Sequence, residues 1–148
     1  MLEQDLNVLL ATAFSFALKS QGYHWNVMGM GFYSHHEFYQ EIYEEVYESV
    51  DLIAENIRAL GRFPAGSLSE FAELSQITEE DDVVVDATSQ MENLVKANDV
   101  VLRIIKIAMT AADDEDREDI EDMLVERMRA HKKHGWMLNS HIMRQQRQ

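Results

Sequence analysis

Apolar residues recur at steps of three and four along almost the whole chain, the period of amphipathic helices, and only one proline and six glycines interrupt them. The pattern predicts four long helices. The first covers about residues 2–27 and ends before Gly29 and Gly31. The second opens with Ser34 three positions ahead of Glu37, a capping-box pattern, and runs to Leu60, where Gly61 and then Pro64 stop it. Its apolar stripe of Phe38, Ile42, Val46, Val50, Ile53, Ile57 and Leu60 steps by about 3.5 residues, which suits bundle packing. A third helix over residues 83–111 turns Met91, Leu94, Val95, Val101, Leu102, Ile105 and Met109 inward. The fourth carries Ile120, Leu124, Met128, His131, Leu138 and Ile142 and gives way to a polar end over residues 144–148. Between them, residues 62–82 are long enough to cross a bundle, with a short helix expected over residues 67–74. The expected fold is all-α: a four-helix bundle with a short helix in the crossover, forming one domain over residues 1–148.

Composition narrows the function. The absence of cysteine excludes disulfides, thiolate metal sites and cysteine nucleophiles, and makes a reducing, cytoplasmic setting the simpler expectation. The start Met1-Leu2-Glu3-Gln4-Asp5 has no basic segment followed by an apolar run, so no secretory signal is expected, and no apolar stretch approaches membrane-spanning length. A formal net charge of −14 opposes binding to nucleic-acid phosphates and favours attraction of cations.

Four residues carry candidate chemistry: His24, His36, Asp51 and Glu55. Two imidazoles and two carboxylates make a mixed nitrogen and oxygen ligand set of the kind divalent iron accepts. On one continuous helix His36 and Asp51 would stand about 22 Å apart, fifteen residues at roughly 1.5 Å each, so one chain cannot close the site alone. A second, antiparallel copy could bring its Asp51 and Glu55 to the first copy's His24 and His36. At about 100° per residue the two carboxylates lie roughly 160° and 200° from the centre of the apolar stripe, pointing away from the bundle core. The plainer alternative is a solvated acidic face shared with Glu44 and Glu48. Against it, Tyr43, Tyr47 and Ala54 lie on the same outward side, and a partly apolar surface around carboxylates suits a subunit contact. A two-fold interface would complete two equivalent sites at once. A di-iron centre inside the bundle calls for Glu three residues before His; those positions hold Gln21, Phe32, Tyr33, Met128, His131 and Leu138, so that centre is not expected.

His24-Trp25-Asn26-Val27, Phe32 to Glu37, Asp51 through Glu55, Arg58 to Gly61 and Trp136-Met137-Leu138 together resemble the Dps family of ferritin-like mini-ferritins. The resemblance implies a ferritin-like bundle assembled as a dodecamer, a hollow shell of twelve subunits. It also implies intersubunit ferroxidase sites, with His24 and His36 from one subunit and Asp51 and Glu55 from its partner. Fe(II) would be oxidised there, preferentially with hydrogen peroxide, and ferric mineral stored in the shell, which limits oxidative damage. Trp25 would intercept stray oxidising equivalents. The chain departs from the family at Gln40, where many members carry an acidic residue. The family's DNA binding usually uses a lysine-rich terminal arm, but here Glu3 and Asp5 open the chain and the first lysine is Lys19. Arg144 and Arg147 are the basic residues at the other end. A nucleoid-compacting DNA-binding protein and an inactive bundle remain the alternative readings.

The acidic run from Asp113 to Asp122 reads either as a solvated helix start or, since Asp114, Glu118 and Asp122 recur at four-residue steps where the resemblance puts the three-fold pores, as a cation entry funnel. His131 falls on an apolar stripe and is expected to be a core histidine with a hydrogen-bond partner; His35, His134 and His141 show no clear partner.

Overall fold

The computed structural model describes residues 1–143 and contains five helices and no strand among them. They are α1 (Leu2–Asn26), α2 (Phe32–Ala59), α3 (Leu68–Leu74), α4 (Ala87–Asp114) and α5 (Glu118–His141). The polar end over residues 144–148, with Arg144 and Arg147, lies outside the described residues. No described helix is long and apolar enough to cross a membrane.

A five-residue turn makes α1 and α2 an antiparallel pair. Gly31 caps α2 with φ +79°, and a Cβ on it would lie 2.9 Å from the His35 ring, so a side chain there is opposed twice, by backbone conformation and by space. This glycine cap replaces the predicted Ser34 and Glu37 capping box: the cap falls three residues earlier and the helix begins at Phe32, which leaves Ser34 inside the first turn. The crossover over residues 60–86 returns the chain to that end of the bundle. Met28 N–H donates to the Val85 carbonyl, so α4 starts beside the start of α2 and runs parallel to it. Val83 to Val85 are consequently outside the helix predicted from residue 83, and Asp86 caps α4 by accepting the Ser89 N–H at 3.0 Å. Within the crossover, Ser67 caps α3 as its sequence suggests, and Phe71 packs on Phe14 of α1 with ring centroids 4.9 Å apart.

Inward residues of all four long helices form one core that includes Leu6, Leu10, Phe16, Ile42, Ile53, Ile57, Leu94, Ile105 and Leu124. Of the predicted core positions, Val50, Leu60, Val95, Leu102, Met109, Met128 and Ile142 are half-buried, while Tyr39 and Ile104 were not anticipated and are buried.

A polar cluster crosses this interior. Arg127 makes two hydrogen bonds to the Glu45 carboxylate at 2.5 and 3.0 Å, and His134 Nε2 meets the same carboxylate at 2.8 Å, so His134 has the partner its sequence context did not show. His131, 1% exposed, is the hydrogen-bonded core histidine expected, with Nδ1 2.8 Å from Asn98 Oδ1. Burial, then the Arg127 and His134 charges, hold its imidazole far below the ordinary value of 6.5. Burial also pushes Glu45 up, but the hydrogen bonds from His134 and Arg127 outweigh it and hold the carboxyl well below its ordinary 4.5.

Both shifts make acid destabilising. Below pH 6.5 the unfolded chain protonates His131 while the folded chain does not; below 4.5 the unfolded chain protonates Glu45 first. Urea unfolding followed against pH is expected to show stability declining from about pH 6.5 downward, at a slope on the order of 1 kcal/mol per pH unit for each such proton. His131→Gln should shrink that upper limb and keep the carboxylate limb; an unchanged profile would contradict the assignment.

A candidate metal centre at the helical hairpin

His24 occupies the last turn of α1 and His36 the second turn of α2, and the hairpin stacks their rings with centroids 3.7 Å apart and planes 14° from parallel. The contact is reciprocal: His24 Nδ1 donates to the His36 carbonyl and His36 Nδ1 donates to the His24 carbonyl, each at 2.7 Å. A carbonyl can only accept, so each Nδ1 carries the hydrogen, and each Nε2 is left with the role of acceptor. The His24 carbonyl lies in the final turn of α1, where carbonyls lack helical partners, and the imidazole supplies one. Among the described residues neither Nε2 has a partner, and neither is a buried unpartnered atom, so both reach the surface. A ring nitrogen tied to a backbone carbonyl with the other nitrogen exposed is the usual preparation of a metal-binding histidine. Phe32 abuts His36 and Tyr43 abuts His24, with centroids 5.2 and 5.3 Å apart, which fixes the stack from both sides.

Asp51 and Glu55 are exposed and one turn apart on the same unbroken α2, so within one chain they stand about 22 Å and more from His36 along the helix. The structure thus brings the two histidines together and leaves the two carboxylates apart from them. No group of three or more potential ligands gathers within one chain among the described residues. His36, Tyr43, Tyr47, Asp51 and Glu55 nevertheless share one side of α2, with Tyr43, Tyr47 and Ala54 half-buried between the two ends. Gln40, on the same side, donates to Glu44 Oε1 at 2.7 Å.

Comparison with known proteins agrees with this architecture. The family model described as a ferritin-like domain matches residues 3–147. DNA protection during starvation protein 2 of Bacillus anthracis is 32% identical, with the match covering 84% of each chain. A low temperature-induced protein of Nostoc sp. is 35% identical over 93% of this chain and 77% of its own. The crystal structure of the Dps protein from Vibrio cholerae O1, described as a member of a broad superfamily of ferritin-like diiron-carboxylate proteins, matches with a TM-score of 0.91 at 31% identity, over 95% of this chain and 88% of that one. The chain belongs to the Dps family. Its fold is the ferritin-like four-helix bundle with a short helix in the crossover.

Other residues marked in the sequence of this Dps-family chain fall as follows. Trp25 is 61% exposed, and among the described residues no ring contact joins it to the histidine pair. Asp114, Glu118 and Asp122 are all exposed, but they do not share one helix: α4 ends at Asp114 and α5 begins at Glu118, with Asp116 at φ 54° in the turn between. Only Glu118 and Asp122 stand one turn apart on a single helix, α5, whose first turn is acidic at Glu118, Asp119 and Glu121 and so complements the helix dipole. His141 donates from Nδ1 to the Met137 carbonyl and stacks on Phe38, whereas His35 Nδ1 is buried without a partner. Inside the bundle, Glu45 and His134 meet beside His131, and the Arg127 guanidinium holds the carboxylate and stands 3.2 Å from His131 Nε2. Sequence reasoning missed this cluster, although Arg127, His131 and His134 at four- and three-residue steps were its signal.

Nitrogen NMR of histidine-labelled protein is expected to show His24 and His36 as the Nδ1–H tautomer. A hydrogen on Nε2 of either ring would contradict the reciprocal carbonyl bonds.

Proposed function

We propose that this protein is a ferroxidase and iron-storing mini-ferritin that acts as a homo-oligomer. Fe(II) is its substrate, captured between His24 and His36 of one subunit and Asp51 and Glu55 of its partner. The observation that carries the reading is the stacked histidine pair, with Nδ1 atoms satisfied internally and Nε2 atoms open to the surface. A site with nitrogen donors at one end of a helical face and carboxylates at the other is incomplete in one chain and complete twice over in an antiparallel two-fold pair. The half-buried Tyr43, Tyr47 and Ala54 between the two ends supply apolar surface for that contact.

Each group has a defined part in the chemistry. The imidazoles offer neutral lone pairs that accept ferrous iron readily, and the carboxylates offer negative charge that favours the ferric product. Few protein ligands leave positions open for the oxidant. Two ferrous ions give peroxide its two electrons together, so hydroxide forms without release of a free radical. Gln40, in place of an acid, contributes no charge here and is itself engaged with Glu44. Glu118 and Asp122 would draw cations toward the shell.

Twelve subunits in a hollow shell and a cytoplasmic setting fit the family and belong to the same proposal. Some relatives bear names that speak of DNA protection. A charge of −14 on each chain, multiplied by assembly, favours protection by removing iron and peroxide over coating of DNA, since phosphate contacts require lysine and arginine.

Mixing the protein anaerobically with ferrous iron and then adding peroxide is expected to give a rapid rise in ferric absorbance. In His36→Ala and in Asp51→Ala the rate should fall at least a hundredfold, toward that of iron in buffer. Wild-type protein no faster than buffer would support an inactive bundle, and retardation of plasmid DNA at physiological salt would support the DNA-binding alternative.

A further inference from the structure

His35 and His36 are adjacent in the chain but meet different helices. His36 stacks on His24 of α1, whereas the His35 ring meets that of His141 at the end of α5, with centroids 6.2 Å apart and planes at 62°. The remaining histidines are engaged inside the bundle, His131 with Asn98 and His134 with Glu45. His141 donates from Nδ1 to the Met137 carbonyl at 2.8 Å, and its ring lies 4.2 Å from that of Phe38, 18° from parallel. It is an exposed residue, and its Nε2 is an acceptor with no partner among the described residues. His35 has the matching need. Its Nδ1 is buried and has no hydrogen-bond partner, the only side-chain atom of that kind among the described residues. Such an atom costs free energy until something meets it. Gly31 gives the ring its place: the His35 N–H donates to the Gly31 carbonyl at 3.0 Å, and a Cβ at position 31 would stand 2.9 Å from Cε1 of the ring.

We infer that His35 and His141 form a second metal site, for a divalent transition ion that prefers nitrogen ligands, zinc or copper(II), with water completing its coordination. The distances allow it. Metal–nitrogen bonds of about 2.0–2.1 Å put an ion roughly 3.2 Å from each ring centre, so two such bonds span up to about 6.4 Å. The observed separation of 6.2 Å lies within that reach. A tetrahedral angle at the ion asks the rings to approach by roughly 1 Å. Rotation of the half-buried His35 side chain supplies that movement and opens its Nδ1 to the ion, with the ring's hydrogen on Nε2. The two backbones need not move, because each residue stands on a regular helix, in the first turn of α2 and at the last residue of α5.

The pair is chemically unlike the proposed iron site. No third histidine, aspartate or glutamate gathers with it among the described residues, so it lacks the carboxylate charge that favours ferric iron. Nitrogen donors also hold ferrous iron more weakly than zinc or copper(II). A ring nitrogen tied to a backbone carbonyl orients a ligating imidazole, which is the state of His141, and Phe38 holds the plane of that ring. The ion gives His35 Nδ1 the partner that the protein does not. A shallow cleft of about 260 Å³, lined by Trp136, Met137, Ser140 and His141, gives access from solvent, and a net charge of −14 draws cations to the surface. An ion held by both rings ties the start of α2 to the end of α5 and stabilises the folded chain by linkage.

Zinc titration tests the pair on full-length protein carrying His24→Ala and His36→Ala, which removes the other exposed imidazole pair, so each outcome bears on this site alone. Calorimetry is expected to show one zinc ion per chain, bound at least tenfold more weakly after His35→Gln and again after His141→Gln, and at least tenfold more tightly than ferrous iron. Circular dichroism and solution mass without metal check that every variant is folded and assembled. X-ray absorption of the zinc-loaded protein with both histidines in place needs neither substitution, and two imidazole nitrogens are expected in the coordination shell. Fewer than two imidazoles on the ion, zinc held equally well after loss of either histidine, ferrous iron held as tightly as zinc, or no zinc bound at all overturns the inference.

Discussion

Because α2 runs without a break from Phe32 to Ala59, His36 and Asp51 are held about 22 Å apart on one rigid rod, and no side-chain rotation closes that gap. Everything proposed for iron in this chain follows from that separation. The hairpin at one end of the rod stacks two imidazoles with their Nε2 atoms outward, and two carboxylates stand exposed toward the other end. An antiparallel copy exchanges the two ends. The ligand set then becomes a property of an interface, and metal capture is linked to association: an ion that bridges two subunits stabilises the pair as well as being held by it.

The bundle interior reinforces this placement of the site on the outside. Glu45 and His134 meet beside the core histidine His131, and Arg127 supplies the positive charge that faces the carboxylate. The guanidinium bridges α5 to α2. The same cluster orients α5 against its neighbours, because satisfying a half-buried carboxylate and two buried histidines together tolerates little displacement.

Much of this was legible in the sequence, and the exceptions have physical causes. Long helices with a three-to-four residue apolar period left little choice of fold, and the stripe from Phe38 to Ile57 lies where its spacing puts it. Helix starts were less legible. Ser34 and Glu37 form a capping box on paper, but a glycine in the left-handed region at Gly31 starts the helix first, and Asp86 outcompetes the apolar Val83 to Val85 as the start of α4. Asp114, Glu118 and Asp122 do not lie on one helix, because a turn divides Asp114 from the other two. At the candidate site, spacing identified the two histidines and the impossibility of closing the set within one chain, yet it did not disclose the exchange of hydrogen bonds between the rings and opposite carbonyls. That detail depends on the depth and angle of the hairpin, which no residue pattern encodes. The same holds for His35 and His141, which are far apart in the chain and meet only because α5 ends beside the start of α2.

The central claim is that imidazoles and carboxylates from different subunits form one centre, and subunit mixing tests it most directly. Protein carrying His24→Ala and His36→Ala is inactive by this account, as is protein carrying Asp51→Ala and Glu55→Ala. When the two are unfolded together in equal amounts and reassembled, random pairing completes one site in each mixed pair, so ferroxidase activity should return to about a quarter of the wild-type level. Recovery to that level is the predicted result. A mixture as inactive as its two parents, despite full reassembly, would contradict the account.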